Sequence, residues 1–374
     1  MLREDDKLLQ AASEQLKITA ETKSIVFIYS KPKVGSTSLV SSLRLFALDQ
    51  YHVLHLHDEE MMRVVCGVNS GVSINAIIQY NARQGKKVVV IDVYRNPVEV
   101  KMSTFFEKID CHHFNNVAEE VNNYPVEKVI QRFNCVFPHI GNGDHFLDRF
   151  DLLTIPPTFD FENRHLYLQR GGIEYIKLRL QDSQETWARI LIDRLNLPTT
   201  FRVLHDYSSD KKAIKDLYRR FKESYRLPPN LLEWVANDKD FRYFNDPSEQ
   251  EAYLKKWSSD IPSIVPFTTD EYSLYERLCI ENNHIDYIQR YHYQDEGCRC
   301  AACNMQRSKL IQKIADQGSL CDDRILHDAA VIEKKKASVK IRFFRVEKKP
   351  TKPSNSEKLK TSMTNIMGVK KKLK

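Results

Sequence analysis

The sequence predicts a three-layer α/β/α domain on a central, mostly parallel sheet, followed by a helical C-terminal region and a small cysteine-rich knuckle. Two observations carry that expectation. Compact apolar runs rich in β-branched and aromatic residues recur (SIVFIYS at 24–30, KVVVIDVY at 87–94), and each is followed by a helical pattern rather than a tight hairpin turn. Runs that are apolar on both faces suit strands covered by helices on either side, and strand–helix–strand alternation implies parallel pairing.

The elements follow in order. Residues 1–22 read as a short amphipathic N-terminal helical extension, and 24–30 as the first buried strand. A glycine-containing turn leads to a helix from Leu39. Residues 51–57 (YHVLHLH) alternate as a second strand, 74–83 read as a helix, and 87–94 are the strongest buried strand. Arg95-Asn96-Pro97 then opens another helix. Residues 116–134 are expected to be helical, 139–157 loop and irregular strand, 175–180 a further strand, 183–195 a helix, and 201–204 one more strand. From 210 to 257 the pattern is helical, broken at Pro228-Pro229 and Asp246-Pro247, and Thr269 is expected to cap a long helix reaching about Gln294.

Charge is segregated along the 374 residues. Residues 333–374 hold 15 Lys+Arg against 3 Asp+Glu, a net of +12, whereas the other 332 hold 42 against 47, a net of −5. The overall +7 therefore belongs to the tail, which argues against a basic globular surface for nucleic acid. No run approaches the roughly 20 apolar residues of a membrane span, and the charged N-terminus lacks the apolar centre of a signal peptide. Eight cysteines (66, 111, 135, 279, 298, 300, 303, 321) do not make a disulfide framework for this length. A reducing, cytoplasmic location is the expectation.

Two segments carry chemistry. The turn Lys31-Pro32-Lys33-Val34-Gly35-Ser36-Thr37-Ser38 lies between a buried strand and a helix, where backbone N–H groups and the positive helix end converge on an anion. Lys33 adds a mobile charge, Gly35 permits close approach, and Ser36, Thr37 and Ser38 add hydroxyls. An ordinary strand–helix turn with a capping serine is the plainer alternative. The Walker A pattern is absent, since the lysine precedes the glycine. Arg95 stands at the C-terminal end of the strongest strand, where open parallel sheets place ligands, and Ser103 follows two helical turns later. An arginine fork with a hydroxyl suits a second phosphate.

These two segments, in this order and context, resemble the signatures of sulfotransferases that use 3′-phosphoadenosine 5′-phosphosulfate (PAPS). The resemblance covers residues 24–110 and extends to 175–195 (through YIKLRLQDSQETWARIL); the chain as a whole resembles a capsular-polysaccharide-synthesis group of sulfotransferase-like proteins. It implies a P-loop-like fold over 23–265. Lys33, Gly35, Ser36, Thr37 and Ser38 would hold the 5′-phosphosulfate, Arg95 and Ser103 would hold the 3′-phosphate, and the acceptor would be a hydroxyl, on a glycan. Two family features are missing: an aromatic residue in place of Ser38, and a late Arg-Lys-Gly clamp, for which Arg170-Gly171-Gly172 comes too early. Lys33 would neutralise the leaving phosphate. For the general base the resemblance points first to Glu59 and then to His57; a solvated acidic helix start is the competing reading, and His112 with His113 is a further alternative.

Two other activities remain compatible with these residues: a P-loop nucleotide or small-molecule kinase using ATP with magnesium, and a non-catalytic polyanion-binding protein of the same fold. The region 266–332 contains Cys298-x-Cys300-x-x-Cys303, whose spacing suits a structural zinc completed by His292 or Cys321; free thiols and a redox role are the alternatives. Residues 333–374 read as a disordered basic tail, serving either attachment to a polyanion or solubility and localisation.

Overall fold

The computed structural model describes residues 4–68, 71–107, 109–114, 117–143, 155–205 and 213–281, with short helical pieces among residues 305–316. The chain divides into two units, Met1–Asn304 and Met305–Lys374. The first holds every element discussed below; the second is described only at those short helical pieces.

Five strands form one sheet in the order β2-β1-β3-β5-β4. Here β1 is Ser24–Tyr29, β2 His52–Leu56, β3 Lys87–Tyr94, β4 Leu166–Arg170 and β5 Ile173–Arg179. The first four in spatial order run parallel, and β4 closes one edge antiparallel to β5. Alternate residues of each strand point to opposite faces. Ile25, Phe27, Tyr29, Val88 and Val90 meet α1 (Glu4–Gln15), α3 (Glu59–Cys66) and α4 (Ile74–Arg83) on one side. Val26, Ile28, Val89, Ile91 and Val93 meet α2 (Ser36–Phe46) and, numbering onward, α8 (Gln184–Leu195) on the other. The result is a three-layer α/β/α arrangement. The N-terminal helix belongs to it, since Leu9, Ala12 and Leu16 are buried and α1 packs on α4.

A third core is helical. It joins α5 (Pro97–Glu107), a π-helical turn (Ile109–Phe114), α6 (Ala118–Val121) and α7 (Val126–Val136) to α9 (Lys215–Ser224), α10 (Pro229–Asn237), α11 (Lys239–Phe244), α12 (Pro247–Trp257) and α13 (Thr269–Glu281). Phe105, Phe133, Phe221 and Tyr225 are its fully buried aromatic centre.

Several sequence expectations change. The helix expected over 116–134 is two helices, because Pro125 cannot continue the first and instead caps the second. Residues 201–204 are not a strand: Phe201 and Val203 are buried against the α2/α8 face, but the Leu204 amide donates to the Ser42 hydroxyl at 2.8 Å instead of to a neighbouring strand. The helical stretch 210–257 has a further break at Asp238, whose carboxylate accepts the Phe241 amide at 2.7 Å and starts α11. Thr268, not Thr269, caps α13. It exchanges bonds with Glu271 in both directions, at 2.9 and 3.2 Å, and the acid three residues on selects it. The expected extension of that helix to Gln294 lies outside the described residues. β4 has no counterpart in the expectations. It is an edge strand paired on one side, with two of its five residues partly buried and two exposed, so it lacks a continuous apolar run.

Candidate functional site

The order of strands fixes where a ligand can bind. From β1 the chain crosses through α2 to β2 on one side, whereas from β3 it leads on to β5 on the other. Between the carboxyl ends of β1 and β3 the direction of winding therefore reverses, and a crevice opens there. The lysine turn leaves β1 at this point and Arg95 leaves β3.

The turn is shaped by two left-handed residues, Lys33 (φ 70°) and Gly35 (φ 88°). Gly35 is the N-cap of α2 and contributes no side-chain cap, so the first-turn amides of α2 have no side-chain acceptor from that position. A Cβ on Gly35 would come within 2.7 Å of Leu180 Cδ1, which that side chain could relieve by shifting, so it is the left-handed conformation that favours glycine. Arg95 locks the turn to β3: its Nη1 donates to the Lys33 carbonyl at 2.6 Å. The Tyr218 hydroxyl hydrogen-bonds the same guanidinium; burial lowers the Arg95 pKa, opposed by Tyr218, Glu99 and Tyr253.

A cavity of about 600 Å³ spans the crevice. Lys33, Gly35, Ser36, Thr37, Ser38, Arg95 and Ser103 all line it, so the two segments singled out in the sequence share one space. His57 lines it too. Its Nδ1 lies 2.7 Å from the Ser30 carbonyl, which can only accept, so Nδ1 carries a proton and, in the neutral ring, Nε2 is the acceptor. His55 sits edge-on to His57 at 4.6 Å and contacts the Ser36 hydroxyl through Nε2 at 3.0 Å. Glu59 does not line the cavity: it opens α3, and its carboxylate accepts the Ile74 amide at 3.2 Å at the start of α4. His112 and His113 lie on the π-helical turn and are not part of the lining either. His113 is buried, stacked on Phe105 at 4.3 Å and bonded through Nδ1 to the Tyr275 hydroxyl at 2.7 Å. Gly171 and Gly172, at φ 57° and 77°, form the β4–β5 hairpin turn at the end of β5 remote from the cavity.

Several lining residues carried no signature in the sequence: Glu107, Asp182, Trp187, His205, Tyr218 and Lys222. The Lys33 ammonium meets Glu107 at 2.5 Å. Glu107 follows Ser103 by four residues, so one helical face supplies both, a spacing that could have been noticed. Trp187 is held by a bond from its indole N–H to the Arg179 carbonyl at 2.9 Å and gives the wall an aromatic surface that Ser38 cannot. Asp182 is gripped by the fully buried Arg179.

Burial first, then the His57 and Arg44 charges, lower the His55 pKa from 6.5 to about 4. The unfolded chain therefore binds a proton that the folded protein refuses, and stability should fall as pH drops from about 6.5 towards 4. Urea unfolding at pH 7 and pH 5 should show this, and His55→Gln should flatten the slope. An unchanged slope would assign the loss to other groups.

Cys298, Cys300, Cys303, His292 and Cys321 lie outside the described residues, as does the basic tail. Among the described residues no group of three or more His, Cys, Asp or Glu is placed to hold a metal, and no helix is long and apolar enough to cross a membrane. No protein-family model, curated protein or solved structure matches the chain.

Proposed function

We propose that the cavity binds PAPS and that the protein transfers its sulfuryl group to a hydroxyl of a carbohydrate. One observation carries the reading: Lys33 and Arg95, from turns 62 residues apart, are bonded to each other and face one cavity together with Ser103. The donor set suits a doubly anionic nucleotide. Lys33, Arg95 and Lys222 supply cations, Ser36, Thr37, Ser38 and Ser103 supply hydroxyls, and Trp187 supplies a ring face. The cavity falls within the several hundred Å³ typical of small-molecule sites. The carbohydrate acceptor rests on the resemblance to the capsular-polysaccharide group.

In this reading the amides at the start of α2 and the Lys33 ammonium hold the 5′ end and stabilise charge growing on the leaving phosphate. Arg95 and Ser103 hold the 3′-phosphate and fix the register. His57, with Nε2 unprotonated, takes the proton from the acceptor hydroxyl as its oxygen bonds to sulfur and the sulfur–phosphate oxygen bond breaks. Position and electrostatics, rather than covalent chemistry of the protein, supply the rate.

A thermal-shift screen tests the donor class without the acceptor. Adenosine 3′,5′-bisphosphate at a hundred times its Kd should stabilise the protein by about 2.7 kcal/mol, with ATP–magnesium and GTP giving less. A preference for ATP–magnesium would assign the cavity to a kinase, and no shift with any nucleotide would remove the enzymatic reading.

A further inference from the structure

We propose that Glu107 is the built-in counter-ion of Lys33, a specificity-determining carboxylate that an anionic ligand must displace. The inference rests on the reading that the cavity takes a phosphate-bearing ligand. Among the described residues two carboxylates line the cavity, and they differ in their commitments. Asp182 accepts from Arg179 Nε at 3.0 Å and Nη2 at 2.7 Å, and Arg164 stands 3.5 Å away, so it belongs to the wall. Glu107 is paired instead with Lys33, the lysine of the phosphate-binding turn that lines the cavity.

The pair is asymmetric in a way that favours exchange. Lys33 is anchored: its backbone is left-handed, its carbonyl is held by Arg95, and its side chain is 15% exposed. Glu107 ends α5 with its side chain 42% exposed, so it can swing into water while the ammonium stays. A partly exposed pair is weak enough to be displaced. A ligand with a single anionic group merely trades one carboxylate for another anion on Lys33. One that also reaches Arg95 and Ser103 gains a second contact that Glu107 does not contest. The cavity therefore selects ligands with two separated anionic groups.

Calorimetry at low ionic strength tests this with adenosine 3′,5′-bisphosphate, ATP and inorganic pyrophosphate as probes. Glu107→Gln should bind each ligand that the wild type binds roughly three- to fivefold more tightly. Asp110→Asn, a control three residues on, removes the same charge without touching the pair and should stay within about twofold. Unchanged or weaker binding by Glu107→Gln overturns the proposal, as does an equal gain from Asp110→Asn, which would mark a general field effect. Tighter pyrophosphate or ATP binding by Glu107→Gln, with no binding of the bisphosphate, keeps Glu107 as the counter-ion of Lys33 but overturns the selection for two separated anionic groups and removes the sulfotransferase reading. No binding of any probe to either protein removes both.

Discussion

Arg179→Met should lower the unfolding free energy by roughly 3–5 kcal/mol, because it strands the Asp182 carboxylate, 4% exposed, and removes three of the bonds that hold the part-buried Glu249 and the Phe244 carbonyl. Arg179 is completely buried at the end of β5, and all five of its N–H groups find acceptors. Nε donates to Asp182 at 3.0 Å; Nη1 donates to the Phe244 carbonyl and to Glu249, both at 2.7 Å; Nη2 donates to Asp182 at 2.7 Å and Glu249 at 3.1 Å. Burial alone would depress its pKa, but the hydrogen bonds and charges of Asp182 and Glu249 raise it above the ordinary value. Phe159 and Phe161 cover the guanidinium at 5.0 and 5.7 Å. Methionine fills much of the volume and satisfies none of these oxygens. Arg164, which also pairs with Glu249 but is 36% exposed, provides the contrast: Arg164→Met should cost about 0–1 kcal/mol. Urea unfolding of both variants measures the difference, and similar losses would refute a special role for the buried fork. Because the Arg179 carbonyl also holds the Trp187 indole, the cavity wall should loosen in the same variant.

Lys33→Ala and Arg95→Ala should each weaken adenosine 3′,5′-bisphosphate binding by on the order of a hundredfold, the worth of a hydrogen bond to a charged group. Their effects should not add. In the proposed site Arg95 would both reach the ligand and hold the Lys33 carbonyl, so its loss would also release the turn that presents the lysine. The double variant should therefore lose less than the product of the single losses. Calorimetric titration of the three variants closes the cycle; retention of wild-type affinity in both single variants would dispose of the proposed donor site.

How much of this was legible in advance depended on how local the physics is. The strands at 24–29 and 87–94 could be read because a strand buried on both faces is a near-continuous apolar run, and the one at 52–56 from its alternation. Asp92 is the instructive exception within β3: its partner is Lys177, directly opposite on β5 at 2.7 Å, and no periodicity reports a pair 85 residues apart. The helix at 74–83 was readable from its spacing. The break at Asp238 and the two helices around Pro125 depended on which competing cap the packing rewarded.

The same division holds for the site. The sequence alone determined the lysine turn, the glycine within it and the arginine at the strand end, since each is a local consequence of where a strand stops and a helix starts. Tertiary structure decided that these meet in one cavity, that Glu107 stands against Lys33 while Glu59, expected as the base, lies outside the lining, and that α8 and α9 supply Trp187, Tyr218 and Lys222. The reason is physical: a turn's conformation is set by its own few residues, whereas neighbours across a crevice are set by strand order, which emerges only when distant apolar faces are buried together.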